Sequence, residues 1–223
     1  MMRNAIFITV RTNSSRLPKK CLLEIAGKPV IVHLINRVKN SKLAEGIVLC
    51  TTTNQQDDIL CDIATNEGIS FFRGSENDKL ERWRGAAQKY GVEFFVTADG
   101  DDLFCEPELI DLAFQQYGSG GADFIEGLHI PCGAFTYAIK ASALRKVCEI
   151  KGTNETEMMW VYFKDTGLFK VEELKGVPQV FHKPEVRMTL DYEDDFKFFK
   201  NIIEHFVLHA QKYFSLRDVL AYL

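Results

Sequence analysis

The sequence predicts an α/β protein whose central sheet is doubly wound and mostly parallel. In the first half of the chain, short apolar segments typical of buried strands alternate with segments whose apolar residues recur at helical spacing. No linker, internal repeat or low-complexity segment interrupts the chain, and 223 residues suffice for one well-cored domain. We therefore expect a single domain over residues 1–223, with a smaller excursion lobe at about residues 128–185.

Four strands and four helices are predicted in the first half. The strands are apolar and rich in β-branched and aromatic residues, as expected of strands buried on both faces, and they span residues 5–10, 46–51, 69–72 and 93–98. Amphipathic periodicity predicts helices over residues 30–39, 56–67, 79–90 and 108–117. Gly68 and Gly91 end the second and third helices, and Pro107 begins the fourth.

The second half is less regular. Its apolar segments predict strands over residues 134–139, 168–174 and 186–190. Helices are predicted over residues 141–150, 154–164, 192–206 and 216–223, the last of them capped by Ser215.

Composition and charge exclude several classes of protein. With 27 basic and 31 acidic residues the net charge is −4, which argues against a nucleic-acid partner. We expect no membrane partner, because no apolar run approaches 18 residues and the N-terminus lacks the long apolar region of a signal peptide. The six cysteines show no metal-binding spacing, so we expect buried thiols and a cytoplasmic location.

A basic turn follows the first predicted strand. Arg11, Ser14, Arg16 and Lys20 fall within ten residues, and guanidinium and ammonium groups bind phosphate oxygens. The sequence contains neither a dinucleotide-binding glycine pattern nor a Walker P-loop, so phosphate binding would use side chains and ordinary loop amides. The turn predicts a triphosphate site, and a solvated basic turn is the alternative.

Acidic residues follow two other predicted strands. Asp101 lies in an acidic turn at the end of the fourth strand, and Asp191 follows the predicted strand over residues 186–190. Crowded carboxylates repel one another unless a cation lies among them, and Mg²⁺ suits carboxylates that share it with phosphates and water. Ligands of open α/β sheets bind beyond the carboxyl ends of the strands, which makes Asp101 and Asp191 a candidate Mg²⁺ pair. An ordinary acidic turn is the alternative.

These motifs resemble a known family. Arg11, Ser14, Arg16, Leu17, Pro18 and Lys20, followed by Gly27-Lys28-Pro29 and His33, are similar to the signature of the cytidylyltransferases that make CMP-activated acidic sugars. Residues 72–75, 100–101, 106–111 and 187–191, together with Asp78, Leu80 and Arg82, are similar to the spore-coat polysaccharide (SpsF-like) branch. The resemblance covers nearly the whole chain, and it is weak between about residues 112 and 185.

The resemblance implies a Rossmann-like nucleotidyltransferase fold and a Mg²⁺-dependent transfer of CMP from CTP to a sugar or sugar-acid acceptor, with release of pyrophosphate. It assigns the CTP phosphates to Arg11, Ser14, Arg16 and Lys20, and Mg²⁺ to Asp101 and Asp191. Catalysis would rest on Lys20, Arg11, Arg16 and Asp101. Further nucleotide-binding or acceptor-bordering residues would be Thr52, Thr53, Asn54, Arg73 and Ser75. A homodimer formed through residues 128–185 is also implied.

Two departures from the family pattern affect the interpretation. Leu103 stands where the family usually has proline, which alters loop rigidity. Residues 156–160 stand where the SpsF-like branch has an Arg-Glu-His-Val stretch, which leaves the acceptor open. The alternatives are a nucleotidyltransferase that uses another base or a phosphorylated acceptor, and a catalytically silent nucleotide-binding regulator. A nicotinamide oxidoreductase is disfavoured by the missing glycine pattern.

Overall fold

A mostly parallel sheet organises the chain. The computed structural model describes residues 2–209 and 213–223, and within them seven strands pair in the order β5-β4-β1-β6-β8-β7-β9. Only β8 runs antiparallel to its two neighbours. The strands of this sheet are β1 (Asn4–Thr9), β4 (Gly46–Thr52), β5 (Ser70–Gly74), β6 (Phe94–Asp99), β7 (Phe124–Glu126), β8 (Tyr137–Lys140) and β9 (Val171–Glu173); β2 (Glu24–Ile25) and β3 (Lys28–Pro29) form a separate hairpin.

Helices cover both faces of the sheet, as the sequence predicts for a doubly wound fold. Along β1, Ile6 and Ile8 belong to one buried core, whereas Ala5 and Phe7 belong to the other. The first core includes residues of α1 (Val30–Val38), α2 (Asp58–Asn66), α4 (Pro107–Gly120), α7 (Glu193–Leu208) and α8 (Leu216–Tyr222); the second includes residues of α3 (Lys79–Tyr90), α5 (Ala141–Ile150) and α6 (Val161–Lys164). Alternate residues of a strand point to opposite faces, so residues 5–8 of β1 are all apolar.

Two predicted elements of the second half differ from the structure, and one strand of that half was not predicted. Residues 186–190 form no strand, because their pairing with the rest of the described chain is limited to an isolated bridge between Cys132 and Arg187. The helix predicted over residues 154–164 is limited to Val161–Lys164, since Thr156 is bonded to α3 instead. The three-residue strand β7 was not predicted, because it is too short to show a period.

Residues 128–185 contribute to the same sheet as the first half of the chain. Strand β8 pairs with β6 near the middle of the sheet, and β9 pairs with β7 at its edge. A single domain over residues 1–223 stays a prediction. In the part of the chain that the structure describes, no helix is long and apolar enough to cross a membrane.

Candidate functional site

A cleft of about 610 Å³ lies beyond the carboxyl ends of β1 and β6. These two strands are parallel neighbours with Thr9 beside Asp99, so the turns that follow them begin at the same edge of the sheet. The lining includes basic residues of the first turn, acidic residues of the second, the start of α3, and two glutamates of the segment after α5: Arg11, Ser14, Arg16, Lys20, Asn77, Lys79, Arg82, Asp99, Asp101, Glu155 and Glu157.

Lys20 joins the two predicted acidic positions. Its Nζ donates to Asp101 Oδ2 at 2.6 Å, to Asp191 Oδ1 at 3.0 Å and to the Leu190 carbonyl at 2.6 Å. The Leu190 amide in turn donates to the Asp101 carbonyl at 2.9 Å, which holds the extended segment before Asp191 against the turn after β6. Lys20, Asp101 and Asp191, far apart in the sequence, therefore meet beside the cleft, whose lining includes Lys20 and Asp101.

Charge and burial act against each other in this cluster. Burial alone would lower the pKa of Lys20, but the Asp101 carboxylate and the hydrogen bonds to both aspartates outweigh burial and raise the pKa. Burial raises the pKa of Asp101, and this exceeds the lowering effect of the Lys20 ammonium. A second cation close to Asp101 would therefore stabilise its charged form.

The acidic pair fits a hard divalent cation in its donor chemistry. Two carboxylates and a backbone carbonyl present oxygen atoms to one point, and the Lys20 ammonium supplies the positive charge there. No group of three or more metal-ligating side chains occurs among residues 2–209 and 213–223. Mg²⁺ commonly uses one or two protein carboxylates and completes its shell with water and substrate phosphates, so Asp101 and Asp191 suffice.

The arginines of the basic turn contact acidic residues and a carbonyl from other parts of the chain. Arg16 Nη2 lies 2.8 Å from Asp191 Oδ1, although half of the Arg16 side chain is exposed. Arg11 Nη1 donates to the Glu76 carbonyl at 3.1 Å, and its Nη2 lies 3.8 Å from Glu157 Oε2. Ser14, which lies between Arg11 and Arg16 in the sequence, also lines the cleft. All four predicted phosphate-binding residues of the turn therefore reach this cleft.

Asp57, at the start of α2, anchors the base of the basic turn. The Thr12 amide and Thr12 hydroxyl both donate to Asp57 Oδ1, at 2.8 and 2.6 Å, and the Thr52 hydroxyl donates to Oδ2. Burial acts to raise the pKa of Asp57, but these hydrogen bonds prevail and lower it. A charged carboxylate therefore holds the turn to the end of β4.

Five predicted nucleotide-binding residues lie outside the cleft lining. Thr52 is fully buried and bonded to Asp57, and Arg73 donates to the carbonyls of Thr52 and Asn54 at 2.9 Å each. The other three are Thr53, Asn54 and Ser75, of which Thr53 and Ser75 are exposed. The structure does not bring this group to the Lys20 cluster, and their role in nucleotide binding stays a prediction.

No role in the site was predicted from the sequence for Lys79 and Arg82 of α3. Lys79 Nζ lies 2.7 Å from Asp99 Oδ1 and 5.0 Å from the centroid of the Trp83 ring. Arg82, one turn further along α3, also lines the cleft. The topology could have identified these two residues. A helix that follows a parallel strand begins at the carboxyl edge of the sheet, so side chains of its first turn can reach a ligand there.

Comparison with known proteins decides the family. A model of the cytidylyltransferase family matches residues 5–215. The chain belongs to the cytidylyltransferase family. Membership of this family makes the chain a nucleotidyltransferase, as the sequence predicts.

Individual relatives agree with this assignment. The spore coat polysaccharide biosynthesis protein SpsF of Bacillus subtilis is 28% identical over 211 residues, covering 91% of this chain and 88% of SpsF. A 3-deoxy-manno-octulosonate cytidylyltransferase of Chloroherpeton thalassium is 30% identical over 140 residues, covering 62% of this chain and 52% of that enzyme. The solved structure of a cytidylyltransferase from Leptospira borgpetersenii superposes with a TM-score of 0.83 at 27% identity, covering 98% of this chain and 90% of that one. The nucleotidyltransferase fold is thereby confirmed.

Proposed function

We propose that this cytidylyltransferase is Mg²⁺-dependent and transfers CMP from CTP to a sugar or sugar-acid acceptor, with release of pyrophosphate. The observation that carries the proposal is the convergence of Lys20, Asp101 and Asp191 beside the basic turn. A site for a magnesium nucleotide needs carboxylates for the metal and cations for the phosphates within one cleft. The relatives named for spore-coat polysaccharide and for an octulosonate support the acceptor class.

In the proposed reaction a hydroxyl oxygen of the acceptor attacks the α-phosphorus of CTP and gives up its proton to the solvent. The new bond joins that oxygen to phosphorus, the bond from the α-phosphorus to the bridging oxygen breaks, and pyrophosphate leaves with the electron pair. Lys20, Arg11 and Arg16 bind and orient the phosphates and offset the charge that develops on them. When bound to Asp101 and Asp191, Mg²⁺ supplies further positive charge to the phosphate oxygens.

The test is pyrophosphate release measured with each of the four ribonucleoside triphosphates against a panel of sugar acids, neutral sugars and sugar phosphates. We expect release with CTP, Mg²⁺ and a sugar or sugar acid, and none after chelation of the metal. Release with another triphosphate, or with a phosphorylated acceptor alone, would contradict the proposal. Stabilisation by CTP without any release would indicate a silent regulator; a ligand at a hundred times its Kd stabilises a protein by about 2.7 kcal/mol.

We also propose that the chain forms a homodimer through residues 128–185. Four large apolar side chains of this segment are exposed by two fifths or more: Leu128, Ile150, Met158 and Leu168. Covering them against a second copy would remove apolar surface from water. Light scattering of the purified chain tests the proposal, and a monomeric mass at micromolar concentration would overturn it.

A further inference from the structure

Arg82 is a buried cation without an acidic partner in the part of the chain that the structure describes. Only 4% of the residue is exposed, and no carboxylate of the described residues lies within 4 Å of its guanidinium. Its Nη1 donates to the backbone carbonyls of Ser75 and Glu76, the latter at 3.3 Å, while Nε is buried without any hydrogen-bond partner. A buried guanidinium normally has a paired carboxylate, so this arrangement calls for an explanation.

The other cations of the cleft differ from Arg82 in this respect. Lys20 and Arg16 contact Asp191, Lys79 contacts Asp99, and Arg11 faces Glu157. Within residues 2–209 and 213–223, Arg82 is therefore the one cleft-lining cation without a carboxylate within 4 Å.

Arg11 brings a second guanidinium to the same point. Arg11 Nη1 and Arg82 Nη1 both donate to the Glu76 carbonyl, at 3.1 and 3.3 Å. The nearest acidic side chain, Glu157, lies 3.8 Å from Arg11 and is 78% exposed, so it neutralises little of this charge. Burial is the main cause that lowers the pKa of Arg82, and the charge of Arg11 adds to it. Two like charges held together beside a cleft favour the binding of an anion.

Arg82 packs closely against the end of β5. Gly74 ends β5, and a Cβ at Gly74 would lie 3.2 Å from both Cα and Cγ of Arg82. The absence of a side chain at Gly74 therefore lets the stem of Arg82 pack against the strand end, which fixes where the guanidinium faces the cleft.

We propose that Arg82, together with Arg11, forms a subsite for the polyphosphate of the nucleotide. The inference rests on the proposed function in taking a nucleoside triphosphate as the ligand. A polyphosphate carries several acceptor oxygens and more than one negative charge. It can therefore accept hydrogen bonds from two guanidinium groups and balance both of their charges, whereas a single carboxylate can balance only one. Arg11 also belongs to the basic turn that ends at Lys20, which places the subsite along the same cleft.

The test compares Arg82→Gln with Arg84→Gln in the full-length chain. Arg84 lies on the same helix, is half-exposed and pairs with Glu81, so its loss should change no affinity. Isothermal titration with inorganic pyrophosphate, CTP and CMP measures the dissociation constants. We expect Arg82→Gln to weaken pyrophosphate and CTP binding by about 10- to 100-fold, the loss typical of a hydrogen bond to a charged group, and to leave CMP binding unchanged.

Wild-type affinity of Arg82→Gln for pyrophosphate would overturn the subsite. Normal CTP and pyrophosphate binding combined with a raised KM for a sugar acid would also overturn the polyphosphate assignment and point to the acceptor carboxylate. If Arg82→Gln does not fold, the assigned Nε–H resonance of Arg82 in the wild-type chain must shift on addition of pyrophosphate, and an unchanged resonance refutes the proposal. If the wild-type chain binds pyrophosphate through Arg82 but does not turn over CTP, the transferase proposal is refuted and the subsite proposal is not.

Discussion

The substitution Lys151→Met tests a buried ion pair that ties the segment after α5 to the start of α3. Lys151 Nζ is hydrogen-bonded to Asp78 Oδ2, and the two side chains are only 5% and 3% exposed. Asp78 also accepts hydrogen bonds from Thr156 Oγ1 at 2.9 Å and from the Glu81 amide at 3.1 Å, so it caps α3 as well. Removing the ammonium leaves a buried carboxylate without its counter-charge.

Breaking one side of such a pair typically costs about 3–5 kcal/mol. For a chain of this size each kcal/mol lowers Tm by about 2–4 °C, so Lys151→Met should lower Tm by about 6–20 °C. Since the same pair positions the segment that carries Glu155 and Glu157, the variant should also alter the cleft wall.

The matched control is Lys146→Met on α5. Its ammonium lies 3.5 Å from Glu149 with both side chains more than half exposed, and such a surface pair contributes about 0–1 kcal/mol. Differential scanning calorimetry of both variants measures the difference. If Lys151→Met melts within about 3 °C of Lys146→Met, the buried pair does not stabilise the fold as argued.

Three further predictions concern the site itself. Asp101→Asn should reduce turnover by about 10²–10³-fold or more with Tm little changed, as steady-state pyrophosphate release would show, because a pre-aimed charge is lost. Asp57→Asn should lower the free energy of unfolding by about 1–3 kcal/mol in urea denaturation, because three donors converge on the carboxylate. Gly133→Ala should lower Tm in a thermal melt, because φ is +90° there and a Cβ would collide with the Met188 carbonyl.

The stability conferred by Asp57 should depend on pH, and each of the three substitutions has a control. Hydrogen bonds hold the pKa of Asp57 below that of an unfolded aspartate, so the stabilisation by its carboxylate is fully present above about pH 4 and is lost as pH falls through the folded-state pKa. Between pH 5 and 2 the wild type should therefore lose more stability than Asp57→Asn, and equal losses would contradict the assigned hydrogen bonds. The exposed Asp62→Asn is the control for both aspartates, and Gly118→Ala, with open space at its Cβ, is the control for Gly133→Ala.

The sequence predicts the central strands and the converging residues for one physical reason. Strands buried on both faces are continuous apolar runs, so β1, β4 and β6 stand out, and the carboxyl ends of parallel strands share one edge of the sheet. Once those ends are located, the basic turn and Asp101 must lie near each other, and the structure shows Lys20 in contact with Asp101.

The remainder depends on long-range contacts that local patterns do not encode. Residues 186–190 have the apolar pattern of a strand, yet within residues 2–209 and 213–223 Cys132 is the one residue that forms a β-bridge with them. The hydroxyl of Thr52 is typical of a ligand-binding loop, yet it is bonded to Asp57 in the interior. Likewise the missing partner of Arg82 becomes visible only when every neighbouring carboxylate has been placed.

The central claim is that the basic turn and the two aspartates form one site for a metal nucleotide. A crystal structure of the full chain grown with CTP and Mn²⁺, which replaces Mg²⁺ and scatters anomalously, tests it most directly. The account predicts a single anomalous peak in coordination distance of carboxylate oxygens of both Asp101 and Asp191, with the phosphates of CTP against Arg11 and Arg16. Density for CTP with no manganese near either aspartate, and with Lys20 still bonded to both, would contradict it.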